Sequence, residues 1–166
     1  MLAVLSLGAT PGSLGAESAE SAEAESVEKG VLEAVILKAD PLTISLADGG
    51  SQTFSLDFGV EFAGAKFIIA GSKRGIIPGT MYGLVNVPLN YGSYSEWLLK
   101  HLGEPGFKSL SGELNEEGKG TAMLNVPISQ DPELVGMVLY HAAILLEPKA
   151  EKVLKASNAI ELILMP

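Results

Sequence analysis

The chain has 166 residues, no Cys, 19 Gly, 9 Pro and a formal net charge of −9. That length suits one domain with a tail, and the lack of Cys excludes disulfides, thiolate metal sites and Cys nucleophiles. The acidic balance argues against nucleic acid, whose recognition needs a basic surface, while 47% hydrophobic and 19% charged residues describe a globular chain rather than a disordered one.

Charge and hydropathy divide the chain unevenly. Residues 1–16 are small or apolar with no ionisable side chain. Leu2 to Leu5, Leu7 and the small Leu14-Gly15-Ala16 ending read as a signal-peptide remnant. A basic n-region is missing, and the apolar run falls at or below the short end of the usual ~7–15 residues. Residues 17–30 form an acidic linker in which Glu17, Glu20, Glu23, Glu25 and Glu28 face Lys29 alone. The first thirty residues thus carry −4 and the remainder −5. A stretch polar on every side has no face to bury and reads as a solvated spacer, although its Ala and Glu also permit a frayed helix. No apolar run reaches the ~18 residues of a membrane-spanning helix, so no membrane span is expected.

Residues 31–166 are expected to form one all-β domain. Short alternating runs broken by Gly, Pro, Asp and Asn are the pattern of an antiparallel β-sandwich, immunoglobulin-like or jelly-roll-like. Leu42 to Leu46 and Thr53 to Leu56 alternate around Asp48-Gly49-Gly50, which predicts a tight hairpin. Lys66 to Ala70 is the next strand, leading into a Gly- and Pro-containing loop from Gly71 to Gly79. Gly83 to Leu89 reads as a single strand and Ser109 to Leu114 as another. After a turn at Glu116-Glu117-Gly118, the run from Gly120 to Val126 places Ala122, Leu124 and Val126 on one side. Leu134 to Leu146 is apolar on both faces, as for a central strand covered on both sides or one carrying a bulge. Ala159 to Met165 is the last strand.

Several blocks carry a resemblance. They are Gly50 to Leu56, Phe67 to Gly79, Pro88-Leu89-Asn90, Gly112 to Ala122, Asp131 to Ala142 and Ser157 to Leu162. In this order and spacing they resemble a β-rich domain of unknown function that recurs in secreted proteins of planctomycetes and related bacteria. The likeness covers about Leu42 to Pro166 and departs from the pattern at Asn115, where Asp is usual, and at Gly92, where an Asp often follows Asn90. It implies an extracellular or cell-envelope location and no established catalytic activity. It also favours a strand over Tyr94 to Leu102. Local chemistry is in conflict there, because Ser93-Tyr94-Ser95-Glu96 has capping-box spacing and Gly103 is a fitting helix end.

The chemistry-bearing residues are sparse. Gly71-Ser72-Lys73-Arg74-Gly75 lacks the Gly-x-Ser-x-Gly spacing of a nucleophile elbow, and only His101 and His141 could act as a base. His141 lies mid-strand and reads as a structural, hydrogen-bonded group. Many of the carboxylates outside the linker fall in turns (Asp40, Asp48, Glu116, Glu117, Asp131), where they serve as turn formers. There is no His pair with zinc spacing, no EF-hand loop and no phosphate-cradling Gly motif. Catalytic and metal residues are therefore expected to be absent, with no cofactor beyond a surface Ca²⁺ held by turn carboxylates. The one cluster with binding chemistry is aromatic. Tyr82, Tyr91, Tyr94 and Trp97 supply four of the ten aromatics and would stack on a sugar if they shared an exposed face. Lys73 and Arg74 read as solvated.

These readings combine into a secreted or cell-envelope protein that is not an enzyme, a structural or binding module. The alternatives are a carbohydrate-binding module built on the four aromatics, and a self-assembling surface protein using an exposed β edge. The expected partner is an extracellular polysaccharide or another envelope protein.

Overall fold

The computed structural model describes residues 35–149 and 152–166. The leader and the acidic linker lie outside the described residues, and the compact described unit is Val35–Pro166.

Alternation produces the first sheet. Strand β3 (Gly50–Asp57) buries Gln52, Phe54 and Leu56 and exposes the residues between them. Strand β8 (Lys119–Val126) buries Ala122 and Leu124 in the same rhythm. The two pair antiparallel over eight positions, from Gly50 opposite Val126 to Asp57 opposite Lys119. Strand β1 (Leu37–Asp40) pairs with the other edge of β3, giving the order β1-β3-β8.

The second sheet is built around β9 (Val138–Leu146), flanked along its length by β4 (Lys66–Ser72). The opposite side of β9 is shared by two strands in succession, β11 (Ile160–Met165) and β10 (Val153–Ala156). The remaining members are β2 (Thr43–Ser45) beyond β11 and β7 (Ser111–Glu113) beyond β4. A separate hairpin consists of β5 (Thr80–Tyr82) and β6 (Val85–Val87), and the helix α1 spans Ser93–His101.

The two sheets share one apolar core. Leu37, Phe54, Leu56 and Leu124 come from the first, and Phe67, Ile69, Leu145 and Leu162 from the second. The other face of the second sheet is also apolar. Ala70, Ala142 and Ile144 pack there with Val87 and Leu89 from the hairpin and the segment after it. This explains why the run around β9 is apolar at consecutive positions: each face meets a different cluster.

Four expectations need correction. The Asp48-Gly49 turn forms, with Gly49 at φ +68, but β2 and β3 are not a hairpin. β2 pairs in parallel with β11, Thr43 opposite Ile163 through Ser45 opposite Met165, so the chain changes sheet on either side of β2 and the antiparallel pattern has this exception. Turn chemistry dictates a reversal of the chain and leaves its pairing partner open. Gly83 to Leu89 is likewise not one strand, because Gly83 sits at φ +64 and forms the turn between β5 and β6. Ser109 to Leu114 opens as a 3₁₀ turn over Lys108–Leu110 before β7 begins. Tyr94 to Leu102 is helical rather than extended: Glu96 N–H donates to Gly92 C=O at 3.0 Å, and Gly92 N–H donates to Ser95 Oγ at 3.2 Å.

The helix takes the place of a strand. β7 pairs with β4 only as far as Ile68, while β4 continues to Ser72. α1 packs against β4, inserting the fully buried Leu98 into the shared core. Gly71 allows this approach, since a Cβ at that position would lie 2.5 Å from Tyr94 Cε1 and 3.0 Å from Leu98 Cδ2.

Candidate binding pocket

The pocket begins with Asn90, whose side chain ties together the loop after β4. Its Oδ1 accepts from Gly79 N–H at 2.9 Å. Its Nδ2 donates to Arg74 C=O at 2.9 Å and Ile77 C=O at 2.7 Å. Its carbonyl accepts from the buried Ser72 Oγ at 2.6 Å. Thr80 adds a second tie, donating through Oγ1 to Leu89 C=O at 2.7 Å and accepting from Tyr91 N–H at 3.2 Å. The Pro88-Leu89-Asn90 block therefore fastens the β5–β6 hairpin and the helix approach to the outer face of the second sheet.

Between hairpin and sheet lies a cavity of about 200 Å³. Ile68 and Ala70 of β4, Ile144 and Leu146 of β9, and Val153 of β10 supply one wall. Val87, Leu89 and Leu99 close the other, and Tyr82 and Tyr91 also line it. Both tyrosines are partly exposed, 38% for Tyr82 and 46% for Tyr91. Burial, and then the neighbouring Tyr91 phenol, push the Tyr82 hydroxyl pKa up.

The four aromatics singled out in the sequence do not form one platform. Tyr82 and Tyr91 meet at the cavity. Tyr94 turns inward, and its hydroxyl is hydrogen-bonded to His141 Nε2 at 3.0 Å. Trp97 stacks on Tyr94 at a centroid distance of 6.3 Å and on His101 at 4.5 Å, with Phe107 edge-on at 5.3 Å. Among the described residues no ring of the first pair packs against a ring of the second. The chain divides them where α1 starts, since the helical repeat sends Tyr94 towards the core while Tyr91 precedes the helix.

His141 is fully buried beside Phe54, with ring centroids 5.5 Å apart. Desolvation pushes its pKa down to about 4 and raises that of Tyr94 well above the ordinary phenol value. The imidazole is thus neutral at physiological pH, and its Nδ1 has no hydrogen-bond partner among the described residues. His101 is on α1, its Nδ1 2.6 Å from Trp97 C=O. Asn115 uses Oδ1 to accept from Glu117 and Lys119 N–H, both at 2.9 Å, which makes it a turn former. Among the described residues no three His, Asp or Glu side chains gather as a metal site would require. Lys73 and Arg74 are exposed, and Arg74 reaches Tyr91 C=O at 3.5 Å. No described helix is long and apolar enough to cross a membrane.

Sequence reasoning found Tyr82 and Tyr91 but missed the cavity they line. The available signal was surplus: Ile68, Ala70, Ala142 and Ile144 are apolar at positions that a sheet wetted on one side would leave polar.

Comparison with protein-family models finds no match to this chain, and no curated protein is significantly similar to it in sequence.

Proposed function

We propose that this chain is a non-catalytic binding module of the extracellular space or cell envelope, acting through the pocket beneath the β5–β6 hairpin. The observation that carries the reading is the pair Tyr82 and Tyr91, partly exposed at an apolar cavity on the outer face of the second sheet. An apolar pocket with a few polar groups at its opening is the usual form of a small-ligand site. Export is supported by the apolar leader and by the resemblance to domains of secreted planctomycete proteins. A binding role rather than catalysis is supported by the burial of His141, the best-placed base.

The scaffold of this proposal is a two-sheet β-sandwich of immunoglobulin-like type. In the order β1-β3-β8 and the order β2-β11-β9-β4-β7, the strands β1-β3-β8 and β11-β9-β4 parallel the A-B-E and G-F-C sheets of that fold, with β2 crossing to pair with the last strand and β7 added beyond β4. A jelly roll would instead need two interlocked Greek keys.

Solution NMR tests the binding role. A panel of small apolar compounds and oligosaccharides is titrated into labelled protein. At least one should shift Ile68, Ala70 and Ile144 resonances, and Tyr91→Ala should abolish the shift. A panel that moves none of these resonances contradicts the reading. Oligosaccharide shifts centred on Trp97 would instead favour the carbohydrate-binding alternative.

Self-assembly is favoured by a different observation. β8 pairs only with β3, so its outer edge is unpaired among the described residues, and Met123 is 39% exposed between the polar Thr121 and Asn125. Sedimentation at high concentration tests it: a dimer lost in Met123→Lys supports assembly, and a monomeric mass contradicts it.

A further inference from the structure

We infer that the pocket takes a neutral small molecule with an apolar body of one or two rings and a hydroxyl or carbonyl group turned towards Tyr82 and Tyr91. This rests on the binding-module reading above and adds the chemical class of the ligand.

The walls exclude the other classes. Among the described residues no charged side chain lines the cavity, so an anion or cation in its interior would be desolvated without a counter-charge, although Arg74 reaches Tyr91 C=O outside the lining. Of the two hydroxyls at its edge, the half-buried Thr80 is engaged both as donor and as acceptor, and the buried Ser95 already accepts one bond. Thr80 Oγ1 donates to Leu89 C=O and accepts from Tyr91 N–H, and Ser95 Oγ accepts from Gly92 N–H. A sugar ring placed against Ile68, Ala70, Ile144 and Leu146 would bury hydroxyls with no partners, which is unfavourable. A hydrocarbon loses nothing by entering.

Size and opening define what fits. The cavity of about 200 Å³ is somewhat larger than the ~150 Å³ apolar cavity that holds benzene. One ring fits easily, and two fused rings fit if one edge reaches the opening. The Tyr82 and Tyr91 phenols are close enough for Tyr91 to influence the ionisation of Tyr82. Neither hydroxyl is hydrogen-bonded to another described residue. Each can donate to or accept from a ligand oxygen, which gives the site a polar end opposite an apolar interior.

The test uses the full chain and four probes: 1-naphthol, 1-naphthalenesulfonate, p-cresol and toluene. Binding is followed by NMR shifts of Ile68, Ala70 and Ile144. 1-Naphthol should bind at least tenfold more tightly than the sulfonate, and p-cresol more tightly than toluene. The doubly substituted Tyr82→Phe, Tyr91→Phe protein should lose the preference for p-cresol while still binding toluene. Ala70→Leu fills the cavity from the sheet side and should weaken 1-naphthol at least tenfold. Leu99→Trp fills it from the helix side, so a folding defect in one variant leaves the other as the test. Undiminished 1-naphthol binding to a folded, filled variant overturns the proposal, as does equal binding of naphthol and sulfonate. Pocket shifts with an oligosaccharide but none with the neutral probes would overturn the ligand class and leave the binding-module reading in place. Silence of the pocket towards all of them would overturn both.

Discussion

Asn158 holds Leu37 by both ends of one peptide-like pair of hydrogen bonds, although 121 residues separate them. Asn158 Oδ1 accepts from Leu37 N–H at 2.9 Å, and Nδ2 donates to Leu37 C=O at 2.9 Å. Oδ1 also accepts from Ile36 N–H at 3.1 Å. The side chain acts as a strand neighbour for β1 and anchors the first sheet to the β10–β11 junction of the second. Ser157 completes the junction by accepting from Ala143 N–H through Oγ at 2.8 Å, where β9 passes from one partner strand to the next.

Asn158→Ala should therefore destabilise the fold by about 1–3 kcal/mol, the cost of leaving part-buried main-chain groups unpaired. Urea unfolding measures this. Asn158→Asp should lie on the same side, since a carboxylate accepts from Leu37 N–H but cannot donate to its carbonyl.

His141 makes stability depend on pH. Its folded pKa of about 4 lies below the ordinary value of 6.5 because burial opposes the charge. The unfolded chain then binds the proton first, so stability is full above pH 6.5 and is lost as pH falls through the window down to about 4. The loss should approach ~3 kcal/mol at the acid end. The check is urea unfolding from pH 7.5 to 4.0 in wild type and His141→Leu. The wild type should show an additional acid loss that the variant lacks, and parallel curves would assign the pH dependence elsewhere.

Gly71→Ala should loosen α1. The new methyl would meet the Tyr94 ring and Leu98, and such overpacking costs about 1–3 kcal/mol. Trp97, the only tryptophan, reports helix position by its fluorescence. The emission should change in Gly71→Ala, with a lowered Tm.

Asn90→Ala should free the loop without unfolding the domain. The bonds to Gly79, Arg74 and Ile77 are lost, yet much of this loop is exposed and water replaces part of what is removed. Amide exchange at Gly79 should accelerate at least tenfold while exchange in β9 stays slow.

Legibility in the sequence followed the range of the interaction. β3 and β8 are readable because alternation is local, and the run around β9 is readable because apolar side chains fill both faces with His141 as the one strongly polar exception. The partner of β2 was not readable: Thr43 meets Ile163, and no local signal links them. The helix signal at Ser93–Glu96 is local and legible, and the helix it marks overrides the strand that the resemblance implies. β10 leaves no sequence signal because Val153–Ala156 is too short to show a period. The conspicuous blocks of the sequence, Pro88-Leu89-Asn90 and Ser157-Asn158 among them, proved to be points where side chains satisfy main-chain groups. Tyr82, Tyr91, Tyr94 and Trp97 are neighbours along the chain, but the start of α1 separates the pair at the pocket from the pair on the helix.

The most direct measurement is a crystal structure of the full chain grown with 1-naphthol. The expected result is ring density between Ile68, Ala70 and Ile144, with its hydroxyl oxygen within hydrogen-bond distance of Tyr82 or Tyr91. An empty pocket at saturating 1-naphthol, or density only beside Trp97, contradicts the assignment of the binding site.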